Sequence, residues 1–240
     1  MSEDFQIVAI DGGAASGKSS TARGVAAAAN FLHVDTGSHY RALTLRALTE
    51  GLSPQKGTAL DRFLAGLRFE TEVRGQCACL RLNGDVPDAA DIRSDAVNAA
   101  VSDFAALPAV RDAVRAYQRD QAAVARKHGF KGLVMEGRDI GTVIFPEADL
   151  KIFLEADAST RAARRKDEGQ TDTIDNRDRI DSTRATAPLT AAPDAVRIDN
   201  SNIPLDGVVA EVLRLLQQRA PGSYANVSAA SACSERNRPR

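Results

Sequence analysis

The sequence predicts a three-layer α/β fold, with five parallel core strands sandwiched between helices, and three observations carry that expectation. Residues 12–19 read Gly-Gly-Ala-Ala-Ser-Gly-Lys-Ser between an apolar run and an alanine-rich stretch, which is the order strand, anion-cradling loop, helix. Short apolar runs at 6–10, 31–34, 131–135, 150–154 and 196–198 lack alternation, as strands buried on both faces of a parallel sheet should. From Arg68 the period changes to two, through Phe69, Thr71, Val73, Cys77 and Cys79, which marks a small antiparallel β-insert.

Taken in order, strand 6–10 feeds a loop with all four fixed positions of G-x-x-x-x-G-K-[ST]. Such a loop aims backbone N–H groups and a helix N-terminus at phosphate oxygens. Gly12 and Gly17 permit backbone geometry and close approach that a Cβ would block. The Lys18 ammonium would reach the β- and γ-phosphates, and the Ser19 hydroxyl would hold Mg²⁺. Gly12, Gly13, Ala14, Ala15, Ser16, Gly17, Lys18, Ser19 and Ser20 are therefore the candidate site for a nucleoside triphosphate. The loop alone does not separate switches, motors, ATPases and small-molecule kinases.

A helix over 22–30 follows, then strand 31–34, which ends at Asp35-Thr36-Gly37. Residues 40–50 have helical spacing and stop at Gly51; Thr58 could cap a helix with Leu60, Phe63, Leu64 and Leu67 on its apolar face. Asn83-Gly84 is a turn signal in the β-insert. Ser94 is a candidate cap for a helix presenting Val97, Val101 and Phe104, and Pro108 opens another that runs to about His128, with Gly129 beyond its end. After strands 131–135, 150–154 and 196–198, a final amphipathic helix carries Leu205, Val208, Val209, Val212, Leu213 and Leu216. The pattern stops at Pro221, and 221–240 reads as a disordered tail.

Composition narrows the class. Of 240 residues 43% are hydrophobic and 26% charged, enough for a sizeable core, and a formal net charge of -1 gives no global field toward nucleic acid or membrane. No apolar run approaches the roughly 20 residues that span a bilayer. The start, Met1-Ser-Glu-Asp, is acidic, unlike a signal peptide. Cys77, Cys79 and Cys233 make no disulfide framework, so a cytoplasmic location is expected. Cys77 and Cys79 are read as filler on one face of a strand, and His33, His39 and His128 as surface or packing residues.

The near-zero sum hides a concentration of cations. Arg161, Arg164, Arg165, Lys166, Arg177, Arg179 and Arg184 fall within one segment, Arg41 lies six residues after Asp35, and Arg138 follows a core strand in Glu136-Gly137-Arg138-Asp139. A basic run alone is usually a solvated helix face. Beside a phosphate loop it suits an enzyme that brings two anionic phosphates together, because the guanidinium fork matches phosphate oxygens.

These segments, with Ile10-Asp-Gly, Asp35-Thr-Gly-Ser-His-Tyr-Arg41, Asn83-Gly-Asp-Val, Glu136-Gly-Arg-Asp-Ile-Gly-Thr142, Phe145-Pro146 and Arg177-Asp-Arg-Ile-Asp-Ser-Thr-Arg184 before Pro188-Leu189, resemble the bacterial cytidylate kinases in family order across roughly 5–216. The resemblance implies a P-loop fold with a nucleoside monophosphate-binding insert at 41–95 and a short lid at 166–186, set in core segments 1–40, 96–165 and 187–220. It implies transfer of the ATP γ-phosphoryl group to CMP or dCMP, with Mg²⁺, small molecules as the expected partners, no nucleic acid or membrane, and a monomer. Lys18, Arg138 and Arg184 would carry catalysis. Thr36, Arg41, Arg138 and Arg184 would hold the acceptor phosphate; Ser102, Arg111 and Asp139 would read the cytosine edge, where Asp139 can accept from the exocyclic amine that uracil lacks. Arg177 and Asp181 would contact the sugar, and Arg161, Arg164 and Arg165 would begin the lid over ATP. Asp35 is the first candidate to join Ser19 at the metal, with Glu136 its rival. The lid departs from the family in length, with eleven residues between Arg165 and Arg177, Gly169 among them. A kinase for another acceptor such as UMP, or a nucleotide-dependent switch, are the alternatives; the arginine-rich second site is poorly explained by a switch.

Overall fold

In the computed structural model, which describes residues 5–167 and 174–219 apart from the side chains of 167 and 174–177, seven strands form one mostly parallel sheet. They are β1 (Gln6–Gly12), β2 (Phe31–Asp35), β3 (Phe69–Arg74), β4 (Cys77–Leu82), β5 (Gly132–Gly137), β6 (Leu150–Glu155) and β7 (Val196–Asp199). Their order is β3-β4-β2-β5-β1-β6-β7. The α-helices among the described residues are α1 (Lys18–Ala29), α2 (Thr36–Thr49), α3 (Thr58–Ala65), α4 (Asp95–Ala106), α5 (Pro108–Lys127), α6 (Ala158–Asp167), α7 (Ile174–Thr183) and α8 (Leu205–Arg219).

The apolar runs become central strands because neither face meets water. Every residue of β5 is buried, and in β1 all but Ile7 are. Alternate side chains feed two layers. Val8, Ile10, Phe31 and Val134 pack with Ala22, Val25 and Ala26 of α1 and Val208, Val212 and Leu216 of α8. Ala9, Leu32, Val34, Leu133 and Met135 pack on the opposite face with Ala122 and Ala125 of α5 and with Ile140, Ile144 and Phe145. Each large aliphatic or aromatic side chain so buried contributes about 1.5–3 kcal/mol.

Several local expectations change in detail. Helix α2 begins at Thr36, four residues earlier than expected at 40, because Asp35 caps it and its Oδ1 accepts from the Ser38 N–H at 3.2 Å. Thr58 is the first helical residue of α3, after Gly57 at the N-cap, and Ser94 occupies the N-cap of α4 without a side-chain cap hydrogen bond. Pro108 does open α5, and Gly129 follows it with φ 76°.

The β-insert departs most. Read from sequence, β3 and β4 stand apart from five core strands. In the structure their antiparallel hairpin continues the main sheet, with β4 running parallel to β2 through His33 and Cys77 and the His33 N–H donating to Gln76 O at 2.7 Å. An edge strand with unpaired backbone groups invites such an extension. A helical cluster of Tyr40, Leu43, Leu60, Phe63, Val101, Phe104 and Val114 holds α2, α3, α4 and α5 together beside it. The expected tail at 221–240, Cys233, Gly169 and the acidic N-terminus lie outside the described residues.

Strands β2, β5, β1, β6 and β7 run parallel and all end on the same side. Their carboxyl ends run into Thr36, Arg138, the loop at 12–17, Arg161 and Asn200. Chain connections diverge on either side of β1, which is where open α/β sheets bind ligands.

Candidate active site

A cleft of about 470 Å³ opens at those strand ends, lined on one side by residues 14–20 and on the other by Arg41, Ser102, Arg111, Arg138, Asp139 and Arg184. The loop after β1 is shaped by two glycines. A Cβ on Gly12 would lie 2.3 Å from Leu154 O, and Gly17 adopts φ +88°. Lys18 is buried and curls over the loop, its Nζ donating to Gly13 O at 2.6 Å and lying 3.4 Å from Ser16 Oγ. Burial, with the nearby charge of Arg138, lowers its pKa to about 7. An anion in the loop would restore the charged form, since an opposite charge favours it.

The loop touches α6 and α7. Ala14 N–H donates to Asp178 Oδ1 at 2.9 Å, and the Asp178 carboxylate pairs with Arg161, which also reaches Ala14 O at 3.4 Å. Asn200, which sequence reading did not single out, donates from Nδ2 to Ser16 O at 2.8 Å and is held by Arg164 through its own Oδ1 and O, both at 3.1 Å. A second cavity of about 260 Å³ adjoins the loop between Arg164, Asn200 and Leu205. Arg165 lines the main cleft, whereas Arg161 is turned into its pair with Asp178.

Across the cleft, buried arginines and aspartates interlock. Arg111 pairs with Asp139 Oδ2 and donates to Ala105 O at 3.2 Å, with its guanidinium 5.3 Å from the Tyr40 ring centroid. Arg184 lies 3.4 Å from Asp139 Oδ1 and 3.6 Å from Asp181 Oδ1. Arg138 Nε donates to Asp181 Oδ2 at 2.9 Å. Three guanidiniums thus share two carboxylates, an excess of positive charge that a phosphate group would offset. Burial works against the charge of Arg138, but Asp181 and Asp178 outweigh it and raise its pKa; burial and the charge of Arg111 lower that of Arg184.

Supporting residues were not singled out from the sequence. Arg41 is aimed by Asn98 Oδ1 at 2.7 Å and Ile92 O at 3.0 Å. Asp11, at the end of β1, accepts the Ile140 and Gly141 N–H groups, each at 2.8 Å. That anchors the single wide helical turn Ile140–Ile144 directly after Arg138 and Asp139. Burial pushes the Asp11 pKa up to about 6 against those two hydrogen bonds. A buried carboxylate directly after an apolar strand was the available clue.

Both carboxylates expected as candidates for the metal lie near Ser19's end of the cleft. Ser19 Oγ donates to Glu136 Oε2 at 2.7 Å, while Asp35 lines the cleft but caps α2 and lies 4.0 Å from Arg93. His33 is buried, with Nε2 2.9 Å from Glu136 Oε1 and Nδ1 3.9 Å from Cys77 Sγ. Burial opposes its protonation, but Cys77 and Glu136 outweigh it and raise the pKa to about 9; that contact in turn lowers the Cys77 thiol. His39 is fully buried, edge-on to Tyr117 at 5.0 Å, and burial lowers its pKa to about 4. The Thr36 hydroxyl donates to Glu136 O at 2.7 Å at the cleft floor. Ser102 is buried along the cleft wall, and Arg177 lies in α7 with its side chain outside the described residues.

The profile of a family described as cytidylate kinase matches residues 8–218. A cytidylate kinase of Mycobacterium avium (strain 104) is 40% identical over 231 residues, covering 92% of this chain and 98% of that protein. One from Nocardia farcinica (strain IFM 10152) is 41% identical over 231 residues, covering 91% and 97%, and one from Geobacillus thermodenitrificans (strain NG80-2) is 41% identical over 224 residues, covering 88% and 96%.

Proposed function

Because the chain belongs to the cytidylate kinase family, we propose that it transfers a phosphoryl group from ATP to CMP or dCMP across the cleft between the loop at 12–19 and the arginine cluster. One observation carries this beyond family membership: Asp139, the candidate reader of the cytosine amine, is paired with Arg111 and lies 3.4 Å from Arg184 at the same cleft wall. Base reading and phosphate holding are thereby linked through one carboxylate.

In this reading ATP places its phosphates on the backbone of residues 12–20 and its base in the smaller cavity beside Arg164 and Asn200. Lys18 then leaves Gly13 O for the transferred group. Arg41, Arg138 and Arg184, with Thr36, hold the acceptor phosphate. Their charges offset repulsion between the two reacting phosphates, which is most of what a protein contributes to phosphoryl transfer. Ser102 and Arg111 donate to the ring acceptors of cytosine, and Arg177 and Asp181 contact the sugar. Residues 41–95 form the acceptor side and 166–186 the lid, which exchanges the contact of Asp178 with Ala14 for contacts to nucleotide and excludes water as it closes.

The donor set suits Mg²⁺. A serine hydroxyl, the Glu136 carboxylate against it and the nearby Asp35 carboxylate are hard oxygen ligands, and Mg²⁺ in such sites takes one or two carboxylates besides phosphate and water. Among the described residues no cluster of three or more His, Cys, Asp or Glu forms a metal cage of its own. When bound, Mg²⁺ would neutralise phosphate charge; Ser19, Glu136 and Asp35 would hold it. One chain supplies every residue named, so a monomer suffices. Among the described residues no helix is long and apolar enough to cross a membrane.

The test is ADP formation from ATP with CMP, dCMP and UMP as acceptors and with none. The reading expects turnover with CMP or dCMP, little with UMP and little alone. Acceptor-independent hydrolysis would favour a nucleotide-dependent switch.

A further inference from the structure

His33 stands in an apolar layer. It lies on β2, and its register partner on β5 is Val134, two residues before Glu136. Parallel strands place residues two apart on the same face, so His33 and Glu136 both point toward α1, alongside Phe31, Val134 and Val25. A residue serving only to pack there would be apolar. Instead the ring is buried with both nitrogens near polar partners, Nε2 at 2.9 Å from Glu136 Oε1 and Nδ1 at 3.9 Å from Cys77 Sγ. The other Glu136 oxygen accepts from Ser19 at 2.7 Å.

We propose that His33 is a positioning residue for the metal end of the site, holding one oxygen of Glu136 so that the other stays against the Ser19 hydroxyl. The inference rests on the assignment of Mg²⁺-ATP to residues 12–19. Glu136 hangs from a strand by three rotatable bonds, and each fixed side chain costs rotamer entropy on binding. The imidazole restricts that freedom before nucleotide arrives. Partners of this kind orient ligands without touching the metal, and losing one typically costs 10–100-fold in metal affinity. Cys77 closes the far side of the ring and restrains its rotation.

The experiment measures ATP binding without acceptor, by displacement of a fluorescent ATP analogue, once with Mg²⁺ and once with EDTA. Variants are His33→Phe, which keeps a ring and removes the donor; His33→Gln, whose amide reaches the position of Nε2; and His33→Asn, whose amide stops at the position of Nδ1. In the wild-type protein Mg²⁺ tightens ATP binding. His33→Phe and His33→Asn lose roughly tenfold of that tightening, with ATP affinity in EDTA and CMP affinity unchanged, and His33→Gln keeps most of it. If His33→Phe does not fold, the contrast of Gln with Asn decides. On a Glu136→Gln background, replacing His33 adds nothing further. An unchanged Mg²⁺ effect in His33→Asn, or a parallel fall in ATP and CMP affinity, overturns the positioning role. No Mg²⁺ effect in the wild-type protein overturns the metal assignment itself.

Discussion

The two walls of the cleft are built in opposite ways. The wall proposed to hold ATP, here the donor wall, is a continuous stretch, residues 12–20, offering backbone N–H groups, the Lys18 ammonium and the Ser19 hydroxyl; the facing wall is the proposed acceptor wall. The acceptor wall is made of side chains, Arg41, Ser102, Arg111, Arg138, Asp139, Asp181 and Arg184, brought from α2, α4, α5, α7 and the chain segments beside them. A backbone cradle tolerates variation at positions such as Ala14 and Ala15, because no side chain there acts. A side-chain cluster depends on each member, since a buried charge left without its partner typically costs 3–5 kcal/mol. The donor wall should therefore fail at few residues, Lys18 first, and the acceptor wall at many.

The largest effect should come from Lys18→Ala, which should lower kcat roughly 10³-fold, by the loss of a charge aimed at the transferred group. Calorimetric CMP binding should be unchanged. Melting temperature should not fall, because an ammonium whose pKa burial has lowered to about 7 adds little to stability. A matching loss of CMP affinity would show that the walls are not separable.

Arg184→Lys should lower kcat by about 10²-fold while KM for CMP changes less, since a point ammonium cannot reproduce a fork shared between Asp139, Asp181 and phosphate. Steady-state kinetics at saturating ATP separate the two parameters. A raised KM with normal kcat would confine Arg184 to ground-state binding.

Asp139→Asn should lower the preference for CMP over UMP about tenfold, the size of one buried hydrogen bond to a charged group. The amide can accept from the cytosine amine but can also donate to the uracil carbonyl. Competition between the two acceptors measures the ratio, and an unchanged value would remove Asp139 from base recognition.

The last expected effect is on stability, with little on turnover, and falls on Asp11, which ties the end of β1 to the turn after Asp139. Its folded pKa is raised to about 6 from an ordinary 3.8, so the folded state binds the proton more tightly. The associated stability is present below pH 4 and is lost as pH rises through 6. Wild type compared with Asp11→Asn should thus gain up to about 3 kcal/mol on going from pH 7 to pH 4. Denaturant melts of both proteins at the two pH values test the sign.

The sequence alone determined the strand–loop–helix at 6–29, the apolar runs that form strands of a mostly parallel sheet, and many of the residues that line the cleft. The loop and strands follow from local chemistry, glycines where a Cβ would collide and apolar runs without alternation; Ser102, Arg111, Asp139 and Asp181 were expected only through the resemblance to a family. The sequence did not determine which groups would meet. Asn98 against Arg41, Asn200 against Ser16, Asp11 against the turn at 140–141 and His33 against Glu136 join residues 57, 184, about 130 and 103 positions apart. Nothing in the local pattern marks such pairs, because each residue alone reads as an ordinary polar position. The same holds for the β3–β4 hairpin: its period of two predicted strands, but only the free edge of β2 decided where they dock. Tertiary structure settles these points because hydrogen bonds between distant segments form only where packing has already brought both strand ends together and excluded the water that would otherwise satisfy them.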